Sequence, residues 1–391
     1  HLNAPIMTTF KGKGLVSDAH PLGCGVLGRS GTPVASWFMN EADLLIVFGA
    51  TSFVGQILTK HLAERGSAVR WAIAGRNADK LASVAAEAGV DVPEIVADAA
   101  DDDAMRTLAE RTNVVASTVG PYAMYGSELL GACSRSGTHY CDISAEPHWI
   151  RTMMDTHATG AAQTGARIVH ACGMDSVPSD VGVLFLQRRA RELHGEPCST
   201  VKMRVTGMKG GFSGGTAASL LHGTDAGRHD PSIGRAMREP YYLAPEGHRE
   251  GPDLLDDMRS VEVEYDEVLG AWTKPFFMGP MNTKIVRRTN AILDYPYGED
   301  FSYDEARLVG DGWSGRLKAQ AEAKQAKAAK AKAKAERETA NEPEPGLTKK
   351  VRWPVDCNVG PGLEGAIACE SKVGYVNGSK GALIYRGYSI F

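Results

Sequence analysis

Paired cysteines, long apolar runs and a dominant charge are all missing from this chain of 391 residues. Its seven cysteines (Cys24, Cys133, Cys141, Cys172, Cys198, Cys357 and Cys369) show no CxxC and no paired spacing, the usage of reduced thiols in a cytoplasmic protein. The eleven histidines form no HExxH and no His/Cys cluster, so no metal site is expected. The longest apolar runs, LLIVFGA and GVLFL, are far too short to span a bilayer. HLNAPIMTTFKGKG lacks the basic-then-apolar order of a secretory signal, and the chain opens on His1, as a fragment or processed product would. A formal net charge of -4 recruits neither nucleic acid nor an anionic membrane. What remains is ordinary soluble composition, 43% hydrophobic and 23% charged, on a chain long enough for two or three domains.

From residue 43 to about 186, apolar strands and amphipathic helices alternate. The strands are LLIVFG, AVRWAIAG, EIVADA, NVVASTVG, HYCDISAE and ARIVHACG. Helical patterns such as VGQILTKHLAERG, NADKLASVAAEAG and DDAMRTLAERT fall between them. Strict alternation with buried strands predicts a doubly wound parallel sheet covered on both faces. After Gly182 the alternation fades, and STVKMRVTGMKGG and RSVEVEYDEV carry the period-2 pattern of half-exposed antiparallel strands. Residues 187–315 therefore read as a second, α+β substrate domain. Residues 316–346 form a Lys/Ala-rich helical spacer without an apolar stripe, and 347–391 end in a small β-hairpin tail through VGYV, NGSKG and ALIYRGY.

DLLIVFGATSFVG, residues 43–55, is a strand running into a small-residue turn and a helix. Such a corner lets backbone approach a pyrophosphate, and the helix N-terminus offers free N–H groups with partial positive charge. Gly49, Thr51, Ser52, Phe53, Val54 and Gly55 are the candidate phosphate-binding residues. Ser52 stands where this spacing usually has glycine; its hydroxyl can donate to a phosphate, at some cost in room. The alternative is a tight corner of the core. Arg76 follows the second strand where a ribose-reading residue belongs, and with Lys80 it suits the 2′-phosphate of NADP, NAD remaining possible. Otherwise Arg76 caps a helix or meets a surface carboxylate. Asp98 either meets adenine or caps the next helix, and Gly120 opens the turn beside the nicotinamide half of the crevice.

GATSFVG, AGRNADKL, TVGPYAMYG, HYCDISAE, GARIVHACGMDSVPSD, GGTAAS, TKPFFMGPMNT and LDYPYGEDF resemble, in the same order, the saccharopine dehydrogenase-like oxidoreductases, in particular the trans-acting enoyl reductases. The resemblance covers about residues 43–313. It implies a Rossmann-type domain with a second α+β domain, NAD(P)H-dependent hydride transfer, and an unsaturated acyl or polyketide substrate in lipid assembly. Family members carry a further stretch after the FSY region, which the Lys/Ala spacer replaces here, so one wall of the cleft is expected to be missing. Residues 1–49 resemble the central domain of thiamine-diphosphate enzymes, and 362–391 resemble the start of citrate synthases; both stretches lack those families' catalytic residues. Gly310-Asp311-Gly312 has no Asn at metal-ligand spacing and reads as chance. The whole resembles a chimera with a fragment at 1–42, a reductase core at 43–315, and a spacer and tail beyond it. Its terminal segments are expected to pack loosely.

Chemistry is expected on two loops at the carboxyl ends of the strands. Tyr122 or Tyr125 can donate a proton to an enolate, or pack against the nicotinamide or the next helix. Asp175 and Ser176 can orient substrate or carboxamide, while Ser179 and Asp180 fit a helix N-terminus. Asp142 either contacts the nicotinamide ribose or closes a turn. His170 reads as a satisfied core histidine, and Asn282 as a residue that could reach across from the second domain. Two further readings stay open beside the NADP-dependent reductase: a non-catalytic nucleotide-binding scaffold, and a citrate synthase or thiamine-diphosphate enzyme fragment. Nothing in the sequence specifies the oligomeric state.

Overall fold

The computed structural model describes residues 44–65, 70–173, 175–207, 214–248, 251, 263–267, 269–322, 324, 325 and 328, and the backbone of four strands nearer the termini. Two of those strands, β1 (Ile6–Thr9) and β2 (Gly23–Leu27), pair in parallel.

The first large sheet has six parallel strands: β3 (Leu45–Phe48), β4 (Trp71–Gly75), β5 (Glu94–Val96), β6 (Val114–Ser117), β7 (His139–Asp142) and β8 (Ile168–Val169). Their order, β5-β4-β3-β6-β7-β8, reverses between β3 and β6, as in a Rossmann-type sheet. Side chains alternate between two cores. Ile46, Phe48, Ala72, Ala74 and Val115 face one side, where they join α3 (Asp102–Glu110), α5 (Ser127–Ser136) and α6 (Pro147–Thr164) through Met105, Leu108, Leu129 and Ile150. Val47 and Ile73 face the other, against α1 (Phe53–Arg65) and α2 (Ala78–Ala88) through Leu62, Leu81 and Ala85. A strand's period of two thus supplies both layers.

Two strands are shorter than their apolar patterns predict. ARIVHACG forms only Ile168–Val169 because Asp142 captures the Ala171 N–H at 3.0 Å and turns the chain, with Ala171 at φ 57. HYCDISAE stops at Asp142 because the same carboxylate accepts the Ser144 N–H at 3.0 Å.

The next helix, α7 (Val177–His194), runs through the boundary expected near residue 186. It leads into β9 (Thr200–Gly207). Then come α8 (Gly214–His229), α9 (Pro231–Arg238), β10 (Glu264–Asp266), β11 (Ala271–Pro275), α10 (Gly279–Ile292) and β12 (Ser302–Asp311). The second sheet is mixed: β10, β11 and β12 are antiparallel, but β9 pairs with β12 in parallel. The expected α+β character holds, and the intervening helices provide the crossover that the parallel β9–β12 pairing needs. Buried Arg204 of β9 binds Asp266 at 2.8 Å and also Asp304, which joins β10 and β12. A hairpin of β13 (Glu370–Val376) and β14 (Lys380–Arg386) matches the expected tail, and β14 runs parallel to β9. A helical stretch covers 312–322, and most of the expected spacer lies outside the described residues.

Candidate active site

The turn between β3 and α1 is built around two close approaches. Gly49 has φ +84, and a Cβ there would lie 2.6 Å from Val119 Cγ2. A Cβ on Gly55 would lie 2.2 Å from the Gly49 carbonyl oxygen. Both positions require glycine, and the helix start is drawn tightly onto the strand end. Ser52 accepts the Gly55 N–H on Oγ at 2.9 Å, and that oxygen lies 2.9 Å from Thr118 Oγ1. Thr118 in turn reaches the Gly49 carbonyl at 3.0 Å. The hydroxyl expected to meet a phosphate is therefore engaged in capping α1 and tying it to the end of β6. Phe53 and Val54 keep first-turn N–H groups without an acceptor among the described residues. The Thr51 carbonyl accepts from Gln56.

Arg76 is exposed, directly after β4, and has no hydrogen bond or ion pair among the described residues. Asn77, not Arg76, caps α2 by accepting the Lys80 N–H at 2.9 Å, and the Lys80 side chain is exposed nearby. Asp98 is exposed and accepts the Ala100 N–H at 3.1 Å, which forms a turn ahead of the α3 cap Asp101.

At the other half of the sheet edge, Gly120 precedes Pro121 and α4 (Tyr122–Tyr125). Tyr122 is buried; its hydroxyl donates to the Ser117 carbonyl at 3.0 Å and accepts from the Ile143 N–H at 3.3 Å. Burial, reinforced by the charge of Asp142, pushes its phenol well above the usual tyrosine range. This closed environment favours the packing alternative for Tyr122 over proton donation. Tyr125 remains 36% exposed.

Glu146 is the residue that sequence reasoning missed. It is buried, accepts the Tyr122 and Ala123 N–H groups at 2.9 Å each, and receives the Ser219 hydroxyl at 2.9 Å. One carboxylate thus neutralises the N-terminus of α4 and fastens α8 to it. No local pattern flags it, because its partners lie 23, 24 and 73 residues away.

Asp142 is buried at the end of β7, with Oδ2 2.7 Å from His170 Nδ1. Asp175 lies in the turn before α7; burial pushes its carboxyl above the usual range, and its Oδ1 folds back over Gly173. Ser176 is buried but makes no capping bond, and Ser179 is buried within α7. Burial also raises Asp180, to about 6, against a hydrogen bond to Thr289. Asn282 does reach across: its Nδ2 lies 2.7 Å from the Asp175 carbonyl, 3.2 Å from Ser179 Oγ and 2.9 Å from Glu305 Oε2.

The described residues contain no metal-holding group of three or more His, Cys, Asp or Glu side chains, and no helix among them is long and apolar enough to cross a membrane.

A family profile described as thiamine pyrophosphate enzyme, central domain, matches residues 1–99. A candidate trans-acting enoyl reductase of Mycobacterium tuberculosis strain H37Rv is 41% identical over 272 residues, 68% of this chain and 65% of that protein. Trans-acting enoyl reductases of Mycobacterium ulcerans and Mycobacterium leprae are 37% and 38% identical, each match covering 71% of this chain and 68% of the relative. The chain therefore spans 65% to 68% of the length of these relatives. Among solved structures, the apo saccharopine dehydrogenase (L-Glu forming) of Saccharomyces cerevisiae is 19% identical with a TM-score of 0.32, covering 39% of this chain and 32% of its own, a likeness too partial to argue from. The citrate-synthase likeness expected at 362–391 finds no support in these matches.

Proposed function

The chain belongs to the trans-acting enoyl reductase family, and on that premise we propose that it reduces a carbon–carbon double bond of an acyl or polyketide chain in lipid assembly, with NADP as its nucleotide. When bound, the reduced nucleotide supplies the hydride. The carrying observation is the corner at Gly49 and Gly55, where any β-carbon would collide and the Phe53 and Val54 amides stay open. That arrangement fits a pyrophosphate held by backbone at a helix N-terminus.

Arg76 and Lys80 are exposed at the position that reads the ribose, and a guanidinium there favours an extra phosphate over a bare 2′-hydroxyl. Asp98, Gly120 and Asp142 line the rest of the edge, with Asp98 and Asp142 already holding turns. The family's substrate class and the absence of strong net charge support a small acyl partner, and reduced thiols support a cytoplasmic location.

Titration of NADPH and NADH by nucleotide fluorescence tests the reading. Micromolar NADPH binding with weaker NADH binding is expected, and Arg76→Asp should reverse the preference. No binding of either nucleotide would sink the proposal. A second reading, a nucleotide-binding scaffold without turnover, is favoured by Ser52, whose hydroxyl is taken up in capping α1 and contacting Thr118. NADPH oxidation with any enoyl thioester excludes it.

A further inference from the structure

We propose that His170, held at Nδ1 by Asp142, is the proton donor that completes the reduction; this rests on the reductase reading above. The side chain of Asp142 is 0% exposed, and its Oδ2 lies 2.7 Å from His170 Nδ1. Its Oδ1 accepts the N–H groups of Ser144 and Ala171, each at 3.0 Å. Ala171 sits at φ 57, a left-handed conformation that a β-carbon disfavours. Such strain persists where surrounding contacts over-determine it, and it concentrates at functional sites. Here the buried carboxylate holds the strained turn, and that turn brings the imidazole onto the same carboxylate. The ring is further confined edge-on against Trp149, at 5.2 Å and 82°, and against Tyr140, at 6.3 Å and 66°.

A carboxylate at Nδ1 fixes the tautomer, so Nε2 is left to exchange a proton. The His170 side chain keeps 10% exposure. The dyad stands at the ends of β7 and β8, in the half of the sheet that faces the nicotinamide mononucleotide in this architecture. Its competitors there fit the task less well. The Tyr122 hydroxyl is closed off by Ser117 and Ile143. Tyr125 is 36% exposed with no partner among the described residues to orient it. The Asp175 carboxyl is folded back over Gly173, and the Cys172 thiol donates to the Val169 carbonyl at 3.5 Å.

Reduction adds a hydride to one alkene carbon and a proton to the other. The hydride arrives with its electron pair from the nicotinamide nucleotide. The alkene π pair forms the second C–H bond by taking the proton from Nε2–H, which leaves His170 neutral until water reprotonates it.

The test pairs kinetics on the full chain with spectra of the nucleotide-free protein. His170→Gln should lower kcat for an enoyl thioester by about 10²–10⁴-fold. KM and NADPH affinity should stay within about threefold, and added imidazole should recover part of the rate. Long-range ¹H–¹⁵N spectra, assigned by difference with the variant, should show His170 protonated at Nδ1, and Asp142→Asn should abolish that signature. If His170→Gln fails to melt cooperatively, His170→Asn with imidazole rescue takes its place. A variant as fast as wild type, or a bare Nδ1, overturns the dyad alone. A wild-type chain inert towards enoyl thioesters overturns the reductase reading and the dyad with it.

Discussion

Asn282 Nδ2 lies 2.7 Å from the carbonyl oxygen of Asp175, which joins α10 of the second domain to the turn that opens α7. The same amide reaches Glu305 at 2.9 Å, and the Tyr303 hydroxyl donates to the other Glu305 oxygen at 2.5 Å. Glu305 is fully enclosed, and burial pushes its carboxyl up to about 7, with hydrogen bonds from Ser179, Tyr303 and Asn282 pulling back and the nearby Asp304 charge adding to the rise.

A pH dependence of stability follows from this. The fold keeps the Glu305 proton up to about 7, while the unfolded chain releases it near 4.5. The unfolded state therefore binds fewer protons in that window, and stability declines as pH rises through it. The loss is on the order of 3 kcal/mol. Asp180, raised to about 6 by burial, acts in the same direction over a lower range. Urea denaturation of Glu305→Gln should show a shallower decline up to about pH 7. A slope identical to wild type would contradict the assignment.

Gly55→Ala places a methyl 2.2 Å from the Gly49 carbonyl oxygen. Backbone atoms on both sides leave little room to relax, so a cost of about 1–3 kcal/mol is expected. The melting temperature should fall by several degrees, and nucleotide affinity should drop with it because α1 is displaced from the sheet edge. Calorimetry and fluorescence titration on the same preparation check both. Full NADPH affinity in a destabilised variant would separate the corner from the binding site.

Tyr122→Phe removes a buried hydroxyl that satisfies the Ser117 carbonyl and the Ile143 N–H. Leaving both groups unpaired should cost about 1–3 kcal/mol. Turnover at saturating substrate should change by less than about tenfold, well short of losing a general acid. A loss of three orders of magnitude in kcat would restore Tyr122 as the donor.

Glu146→Ala strips two N–H groups of α4 and the Ser219 hydroxyl of their shared acceptor. Charge-assisted bonds of this kind contribute about 1.5–3 kcal/mol, so the variant should unfold at clearly lower denaturant. Ser219→Ala removes only the α8 contact and should cost about 1 kcal/mol or less. Equal losses in the two variants would mean that α4 does not depend on the carboxylate.

Much of the sheet was legible because its signals are local. LLIVFG and WAIAG declare buried strands within a few residues, and Gly49 and Gly55 mark a close approach whatever the distant context. The sequence by itself determined the parallel Rossmann-type sheet, the tight β3–α1 corner and the family. It misjudged β8, whose apolar pattern continues past the point where Asp142 captures Ala171. GPYAMYG leaves Tyr122 open to either role, and the groups that close it, Ser117 and Ile143, are brought to it by the folded chain. Only the tertiary structure decided the Asp142–His170 pair, 28 residues apart, and the Asn282–Asp175 tie, 107 residues apart. Short-range periodicity fixes which residues form strands and helices. Which carboxylate meets which imidazole depends on how those elements stack, and stacking is set by packing between residues far apart in the chain.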